Sequence, residues 1–545
     1  MKNKTLNKMI RKIYILLLSL SLIITYSCTE DYLDTVPTDS ISAEAALSSP
    51  DNMMLVLNGL HRMMYGQNQL TGGTSSRSGE SHFIPSFDAV GGNIIHSSPG
   101  NGWMRADLQW QNHTSANATT GFNLWFQRYH IIQEVNAIIS KVAVADFTVT
   151  PKLNNVLGQA HAYRAWSYWR LITTFSKGYL IGNPSTDPGV PLLLEQGAPY
   201  EGGPRGTVAE VYAQMEKDID AAIGYLKVAS PADNKSHISL NAAYGIKARI
   251  ALSKGDWATA ATNAVLARNG YPLLNQSQWL SGFNTLDLSE VIWGGYVIDT
   301  ETNFFQSYFY YVAFAFNGSQ NRSNPKLISK ELYDAIPVTD YRNKAWLPLA
   351  PNSNPAASND QGGSYESDPN YNDEASFNAA KAAIIEEYGA TDGHNTHPYM
   401  NVKFKQKNPG GIDPDDVIYM RASEMVLIEA EAKAMLNDIT GAQNALDILG
   451  SARDSAFDKT AFGTQASIMA QIKWQRRVEL WGEGFSYHDQ IRWDEGLDQS
   501  NSGASLVLYQ DGFMQPKPSA NDDWIYKIPQ QEIDANPFIT ESDQN

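Results

Sequence analysis

Apolar positions in FNLWFQRYHIIQEVNAIISKV (122–142) recur at every third or fourth residue, with Trp125, Tyr129, Ile132, Asn136 and Ile139 at helical spacing. That period lays one face of a helix against a core. NNVLGQAHAYRAWSYWRLITTF (154–175) and TVAEVYAQMEKDIDAAIGYL (207–226) carry similar stripes, and Thr207 stands where an N-cap is needed. Between these two segments, GYLIGNPSTDPGVPLLLE is rich in Gly and Pro and predicts a long loop.

The next helical segment contains a repeat. In NAAYGIKARIALSKGDWATAATNAVLA, Tyr244, Ala248, Ala260 and Ala267 occupy the bulky and small positions of a tetratricopeptide helix pair. The pattern returns in EMVLIEAEAKAMLNDITGAQNALDIL, with Ala430, Ala442 and Asp438 where Ala248, Ala260 and Asp256 stood. Small residues there let antiparallel helices approach closely. Each hairpin leaves an apolar face that only a neighbouring hairpin covers, so several must stack. Two good copies and two degenerate ones predict a short helical solenoid. Residues 66–120 and 270–400 differ: they are full of Gly, Asn, Ser, Pro and aromatics, with few helical stripes, and short runs such as EVIWGGYVI read as strands. Loops of that length in a compact protein are usually functional.

The N-terminus changes the picture. Five cations (Lys2, Lys4, Lys8, Arg11, Lys12) precede IYILLLSLSLII, an apolar run of export-signal length that is too short to span a bilayer. Ser27 and then Cys28 follow, and Cys28 is the only cysteine of 545 residues. A lone thiol has no disulfide partner in an oxidising compartment. The arrangement looks like a lipoprotein signal (1–27) with Cys28 as the acylated anchor, although Thr25 and Tyr26 depart from the strict pattern. Acyl chains bury methylenes at roughly 0.8 kcal/mol each, enough for stable attachment when two or three are present. The net charge of -17 disfavours a nucleic-acid partner. Aromatics reach 11%, with 13 Trp and 27 Tyr, which is rich enough to furnish both a core and a recognition surface.

Candidate chemistry is thin. Arg476, Arg477, Glu479, Glu483, Asp489 and Arg492 alternate in sign within IKWQRRVELWGEGFSYHDQIRWDEG. Arginines at that density pin carboxylates as ion pairs and lower their proton affinity, whereas a general acid needs it raised, so the run reads as a polar lock between helix and loop. His394 and His397 lie in a Gly/Asn-rich loop with no cysteine, which argues against zinc. IDPDD, with Asp413, Asp415 and Asp416, reads either as a calcium site through oxygen ligands or as a solvated turn. No phosphate loop or nucleophile elbow is present. Opposed carboxylates for glycoside hydrolysis are neither indicated nor excluded.

The 472–496 run closely resembles the arginine-rich helix and turn of the SusD/RagB family of outer-membrane nutrient-binding lipoproteins. So do YLDTVPTDSIS after Cys28, RAWSYWRL, GVPLL, GDWATA, YMRASEMVLIEAEAK and the terminal WIYKIPQQEIDANPFI, in matching order over nearly the whole chain. The resemblance implies a mainly α fold: tetratricopeptide-like hairpins forming an α/α superhelix, with a large irregular region carrying short strands. It implies one body over 28–545, with helical parts at 28–65 and 121–269, loop-rich ligand-binding parts at 66–120 and 270–400, and a C-terminal region at 401–545. It further implies a non-catalytic protein without a cofactor, lipid-anchored on the extracellular side of the outer membrane. Such a protein captures oligosaccharides for a partner TonB-dependent barrel of the SusC type. A second group in the family takes peptides or amino-acid material; a surface glycoside hydrolase and a helical-repeat adaptor for another protein are the remaining alternatives.

Sugar rings stack on Trp or Tyr, and amides and charged groups orient their hydroxyls. Two loop regions supply such sets. The first holds Arg77, Asp88, Asn93, Asn101, Trp103, Arg105 and Trp110, and the second Tyr308, Tyr310, Tyr311, Asn317, Gln320 and Arg322. Trp103, in a glycine-flanked loop, heads the candidates. Packing of the loops is the competing reading for each ring.

Overall fold

The computed structural model describes residues 42–66, 79–96, 104–195, 202–298, 307–354, 363–503, 508–509 and 513–545. Cys28 and its leader, Arg77, Asn101 and Trp103 lie outside these. The chain divides into two units, Met1–Met53 and Met54–Asn545. In the first, Ser42 caps a single helical turn, Ala43–Ala46.

Helices of eight residues or more are α1 (Pro50–Met63), α2 (Glu80–Val90), α3 (Thr119–Val144), α4 (Pro151–Phe175), α5 (Val208–Leu226), α6 (Leu240–Lys254), α7 (Trp257–Ala267), α8 (Glu374–Tyr388), α9 (Ala422–Met435), α10 (Ile439–Arg453), α11 (Gln465–Glu479) and α12 (Ser486–Trp493). The strands are short: β1 (Ile95–His96), β2 (Pro188–Pro191), β3 (Arg205–Thr207), β4 (Val291–Gly295), β5 (Lys326–Leu327), β6 (Trp346–Leu347), β7 (Met400–Asn401), β8 (Val417–Arg421), β9 (Leu497–Asp498) and β10 (Met514–Gln515). The fold is thus mainly helical, as expected.

The helical frame runs α3–α4–α5–α6–α7, each helix packing on the next, and α9 and α10 continue it with α7 against α9. Thr207 caps α5 with Glu210 answering from the first turn, a reciprocal capping box. The two repeat copies turn by one device. Gly255 (φ +79°) and Asn437 (φ +60°) end the first helix of each hairpin in the left-handed region. Asp256 and Asp438 then cap the second helix, accepting from Thr259 N at 3.2 Å and Gly441 N at 2.9 Å. Ala248, Ala260, Ala430 and Ala442 are all fully buried at the helix contacts. Between the hairpins, Arg249 grips Glu424 at 2.6 Å and Arg268 meets Glu429 at 2.7 Å.

The irregular regions are more ordered than their composition suggests. The segment 178–195, expected as loop, contains β2, which pairs with β3. The strand expected in EVIWGGYVI is β4, antiparallel to β8. A four-stranded sheet has the order β1-β5-β7-β6. Helices α2 and α8 stand where few helical stripes were read. Every residue of α2 is buried, Pro85 included, and in α8 only Phe377 is, so neither presents a one-sided stripe.

A buried ion-pair network ties this half to the frame. Glu479, at the end of α11, accepts from Arg421 Nη1 (2.6 Å), Arg342 Nη1 (2.9 Å), Arg453 Nη2 (3.0 Å) and Trp279 Nε1 (3.1 Å). Glu290 takes Arg421 and Arg453 as well, Glu483 takes Arg421 and Lys403, and Asp340 takes Arg342. Four cations thus meet four carboxylates. The guanidinium groups of Arg453, Arg421 and Arg342 outweigh burial and hold the Glu479 carboxyl well below its usual range, and Glu290 is lowered in the same way by Arg453 and Arg421. The arginine-rich run is the expected lock: Arg476 bonds Asp489 at 2.6 Å, and Arg492 spans Asp489 and Glu431.

Candidate functional site

Two of the clefts among the described residues are lined in part by aromatic side chains. The first, about 410 Å³, lies between the end of α1 and the end of β4, with Tyr65, Tyr296, His237, Asn234 and Arg62 in its walls. Its volume falls within the range of small-molecule pockets. The chain leaves α1 at Tyr65 and returns at Gly79, where Glu80 N donates to Met64 O at 2.6 Å and Ser81 Oγ to Tyr65 O at 3.3 Å. Opposite, Gly295 lets β4 lie against this turn. A Cβ there would sit 2.6 Å from Tyr419 OH and 3.1 Å from the Tyr65 ring, so any larger residue would have to displace both tyrosines. Val297 N then donates to Asp416 at 3.1 Å, which sets Tyr296 with 56% of its surface exposed.

Behind the tyrosines, the rings of His61 and His237 are 4.5 Å apart. Burial lowers the pKa of both, and His61 is lowered further by His237 beside it, so both imidazoles are neutral. His61 Nδ1 is bonded to Tyr163 OH and His237 Nδ1 to Gln159 Nε2. The walls therefore offer exposed aromatic surface beside amide, imidazole and guanidinium groups, with no carboxylate among the lining residues. That set suits a neutral, hydroxyl-rich ligand.

The second cleft, about 330 Å³, lies at the C-terminus of α8. The Lys405 ammonium sits 5.6 Å from the centre of the Tyr388 ring, and the Phe314 ring is 6.4 Å from that ring. Gln406 is buried, and its Oε1 has no hydrogen-bond partner among the described residues.

Most of the residues chosen from sequence brace the scaffold instead. Asp88 is fully buried and accepts from Gly482 N (2.6 Å), Ser486 N (3.0 Å) and Ser486 Oγ (2.9 Å), fastening α2 to the turn before α12. Burial pushes its pKa up to about 6 against those donors. Asn93 takes Arg477 Nε at 3.0 Å on its side chain and Trp481 Nε1 at 2.7 Å on its carbonyl. Trp110 donates to Val90 O and packs edge-on against Trp524. Tyr308 donates to Gly482 O at 2.8 Å. Tyr310 packs on Phe316, and Tyr311 lies 5.3 Å from His82. These rings were expected to face a ligand; they are core because a short helix, Tyr308–Val312, turns them inward against α2.

Arg105 and Arg322 are exposed and Asn317 is half-buried. Gln320 is fully buried with neither amide atom partnered among the described residues. Sequence reasoning missed Tyr65, Tyr296, Tyr388 and Lys405. The pair of glycines before Tyr296 was the available signal, since a strand ending in Gly-Gly marks a close backbone approach.

Of the acidic IDPDD cluster, Asp416 accepts from Leu286 N and Val297 N, Asp415 from Lys407 N, and Asp413 from Asn408 Nδ2, while Asp415 and Asp416 also share the Lys407 ammonium at 4.0 and 3.8 Å. His394 Nε2 lies 3.1 Å from Phe316 O, and His397 Nδ1 lies 2.9 Å from Pro398 O. Among the described residues, no group of three His, Cys, Asp or Glu is placed to hold a metal, and no helix is long and apolar enough to cross a membrane.

Comparison with known proteins places these features. Residues 31–252 match a SusD-like family described as starch-binding and associating with the outer membrane, and residues 263–545 match the SusD family. The chain is 23% identical over 417 residues to SusD-like protein P38 of Formosa agariphila, covering 71% of this chain and 75% of that one. Among solved structures, a SusD-like carbohydrate binding protein from Bacteroides vulgatus ATCC 8482 has a TM-score of 0.71 at 23% identity, over 91% of this chain and 98% of its own. A laminarin binding SusD-like protein has a TM-score of 0.61 at 18% identity, over 91% and 98%.

Proposed function

The chain belongs to the SusD family, and from that premise we propose that it is a non-catalytic, lipid-anchored surface protein that captures oligosaccharides and passes them to a partner TonB-dependent barrel in the outer membrane. The observation that carries the reading is the Tyr65–Tyr296 cleft, whose exposed Tyr296 ring and flanking amide, imidazole and guanidinium groups match the C–H face and hydroxyls of a sugar ring. Each stacked ring contributes about 0.5–1.5 kcal/mol, and hydrogen bonds add direction. Such a cleft gives modest affinity, which suits a protein that must release what it holds. The family description as starch-binding and outer-membrane associating supports both ligand class and location. Ser27–Cys28 after an apolar run of signal length supports the anchor.

Chemistry on the ligand finds no support in the carboxylates of the arginine-rich run. Glu479 in that run, and Glu290 bonded to the same arginines, are held ionised, the opposite of what a proton donor requires. The test is titration calorimetry of the mature protein against panels of oligosaccharides and of peptides. Saturable heat with at least one glycan, and none with peptides, is expected. Binding of peptides alone would move the protein to the amino-acid-handling branch of its family, and sustained cleavage of a bound glycan would overturn the non-catalytic reading.

A further inference from the structure

A glycine inside a helix calls for a reason, because it loses more backbone freedom on folding than any other residue and contributes no side chain to packing. In α4, α6 and α10 the reason is close packing: a Cβ on Gly158, Gly245 or Gly450 would run into Leu226, Met420 or Phe457. Two other helical glycines, Gly59 in α1 and Gly224 in α5, are different. A Cβ on either would meet nothing within 4 Å among the described residues, and neither has the positive φ that disfavours other side chains. Both are exposed. Packing and backbone conformation therefore give glycine no advantage over alanine at these two positions, and helix propensity counts against it.

Of the two, Gly59 lines the Tyr65–Tyr296 cleft and Gly224 does not. Residues three and four apart are neighbours on a helix surface, so Leu55 and Arg62 flank Gly59 along α1. Leu55 is 54% exposed, and Asn58 and Arg62 stand with Gly59 in the cleft wall. The missing side chain makes a notch in that ridge. Tyr296, at the end of β4, belongs to the same cleft. Any side chain at position 59 would project into this space. Its absence leaves the helix backbone as the floor, and glycine is the residue that allows a ligand to approach a backbone closely.

We infer that Gly59 is a ligand-contact position: a sugar ring of the bound oligosaccharide lies across α1 in this notch, against the helix backbone, with Asn58 and Arg62 at its edge to meet its hydroxyls and Tyr296 as its aromatic partner. The inference rests on the glycan reading and adds to it the surface on which the ring lies. It also gives the otherwise unfavourable glycine a function, in the way that binding sites commonly hold residues that are not the most stabilising choice.

The test is titration calorimetry of the mature protein with two probes, a starch fragment (maltoheptaose) and a laminarin fragment (laminarihexaose), the glycans named among its relatives. Tyr296→Ala shows which probe occupies the cleft, by weakening it. For that probe, Gly59→Leu is expected to raise Kd about tenfold or more, because the new side chain overpacks the space the ring needs. Tm of the same variant is expected to hold or rise slightly, leucine being the better helix former. Gly224→Leu makes the same exchange on a helix away from the cleft, and should match it in Tm while leaving Kd unchanged. Wild-type affinity in Gly59→Leu, for a probe that Tyr296→Ala weakens, would overturn the inference and leave the glycan reading standing. A clear fall in Tm for Gly59→Leu would overturn it as well, since the protein itself would then be filling the notch. Silence of both probes on the wild type, or binding that Tyr296→Ala leaves intact, would instead count against the cleft as the glycan site, and the inference would fall with it.

Discussion

Glu479 is the point at which the buried charge network can be tested most directly. Replacing it by Gln keeps shape and one acceptor oxygen but removes the negative charge that Arg342, Arg421 and Arg453 share at 2.6–3.1 Å, all with side chains at most 1% exposed. Breaking a buried pair costs about 3–5 kcal/mol because the remaining charge is stranded. Unfolding entropy of about 2.1 cal/mol/K per residue, applied to the unit Met54–Asn545, gives roughly 1 kcal/mol/K. Glu479→Gln should therefore lower Tm by about 3–5 °C in scanning calorimetry at neutral pH. The half-exposed pair Lys473–Glu495 is the control, and Glu495→Gln should move Tm by less than about 1 °C. The sign with pH follows from the depressed Glu479 pKa. Its stabilisation is complete above the ordinary value of 4.5 and is lost as pH falls toward the folded value, so wild type and variant should converge in acid. A Tm drop no larger than that of Glu495→Gln would refute the claim that this carboxylate holds the two halves together.

Tyr296→Ala should weaken binding of whichever glycan titrates by about 2- to 12-fold, the equivalent of one stacked ring, with Tm unchanged. Cys28→Ala should leave the protein in the soluble fraction, unlabelled when cells are fed a radioactive fatty acid. Ala260→Leu forces extra volume between tightly packed helices and should cost about 1–3 kcal/mol by calorimetry. Asp88 has a pKa raised from 3.8 to about 6, so the folded state holds its proton longer than the unfolded chain. Its contribution should make wild-type stability decline as pH rises through that window, and a pH series on Asp88→Asn should lack that decline.

The frame was legible because its residues obey one rule at a time. Alanines where helices cross, Asp256 and Asp438 at the hairpin corners, and Thr207 before a stripe each carry local information that the tertiary structure leaves intact. Helix α2 was not legible, since burial on every side erases amphipathic period and Pro85 reads as a breaker. Helix α8 failed for the opposite reason, with too little burial to need an apolar face. At the clefts, the stretches chosen from sequence contribute little: none of their residues lines the Tyr65–Tyr296 cleft, and only Phe314 and Ala315 of them line the second. Asp88, Tyr308 and Asn93 look like ligand groups by type, yet their partners at Gly482, Ser486 and Arg477 lie far along the chain. Only the fold brings those partners in, and it spends the side chains on holding itself together.

Hairpins α6–α7 and α9–α10 lie side by side, joined by Arg249–Glu424 and Arg268–Glu429, although the chain between them wanders through β4 to β8. Everything from residue 268 to 421 is in effect a cassette spliced between two adjoining repeats. Because side chains rather than the intervening chain close the seam, the length of that cassette does not set the distance between the two hairpins.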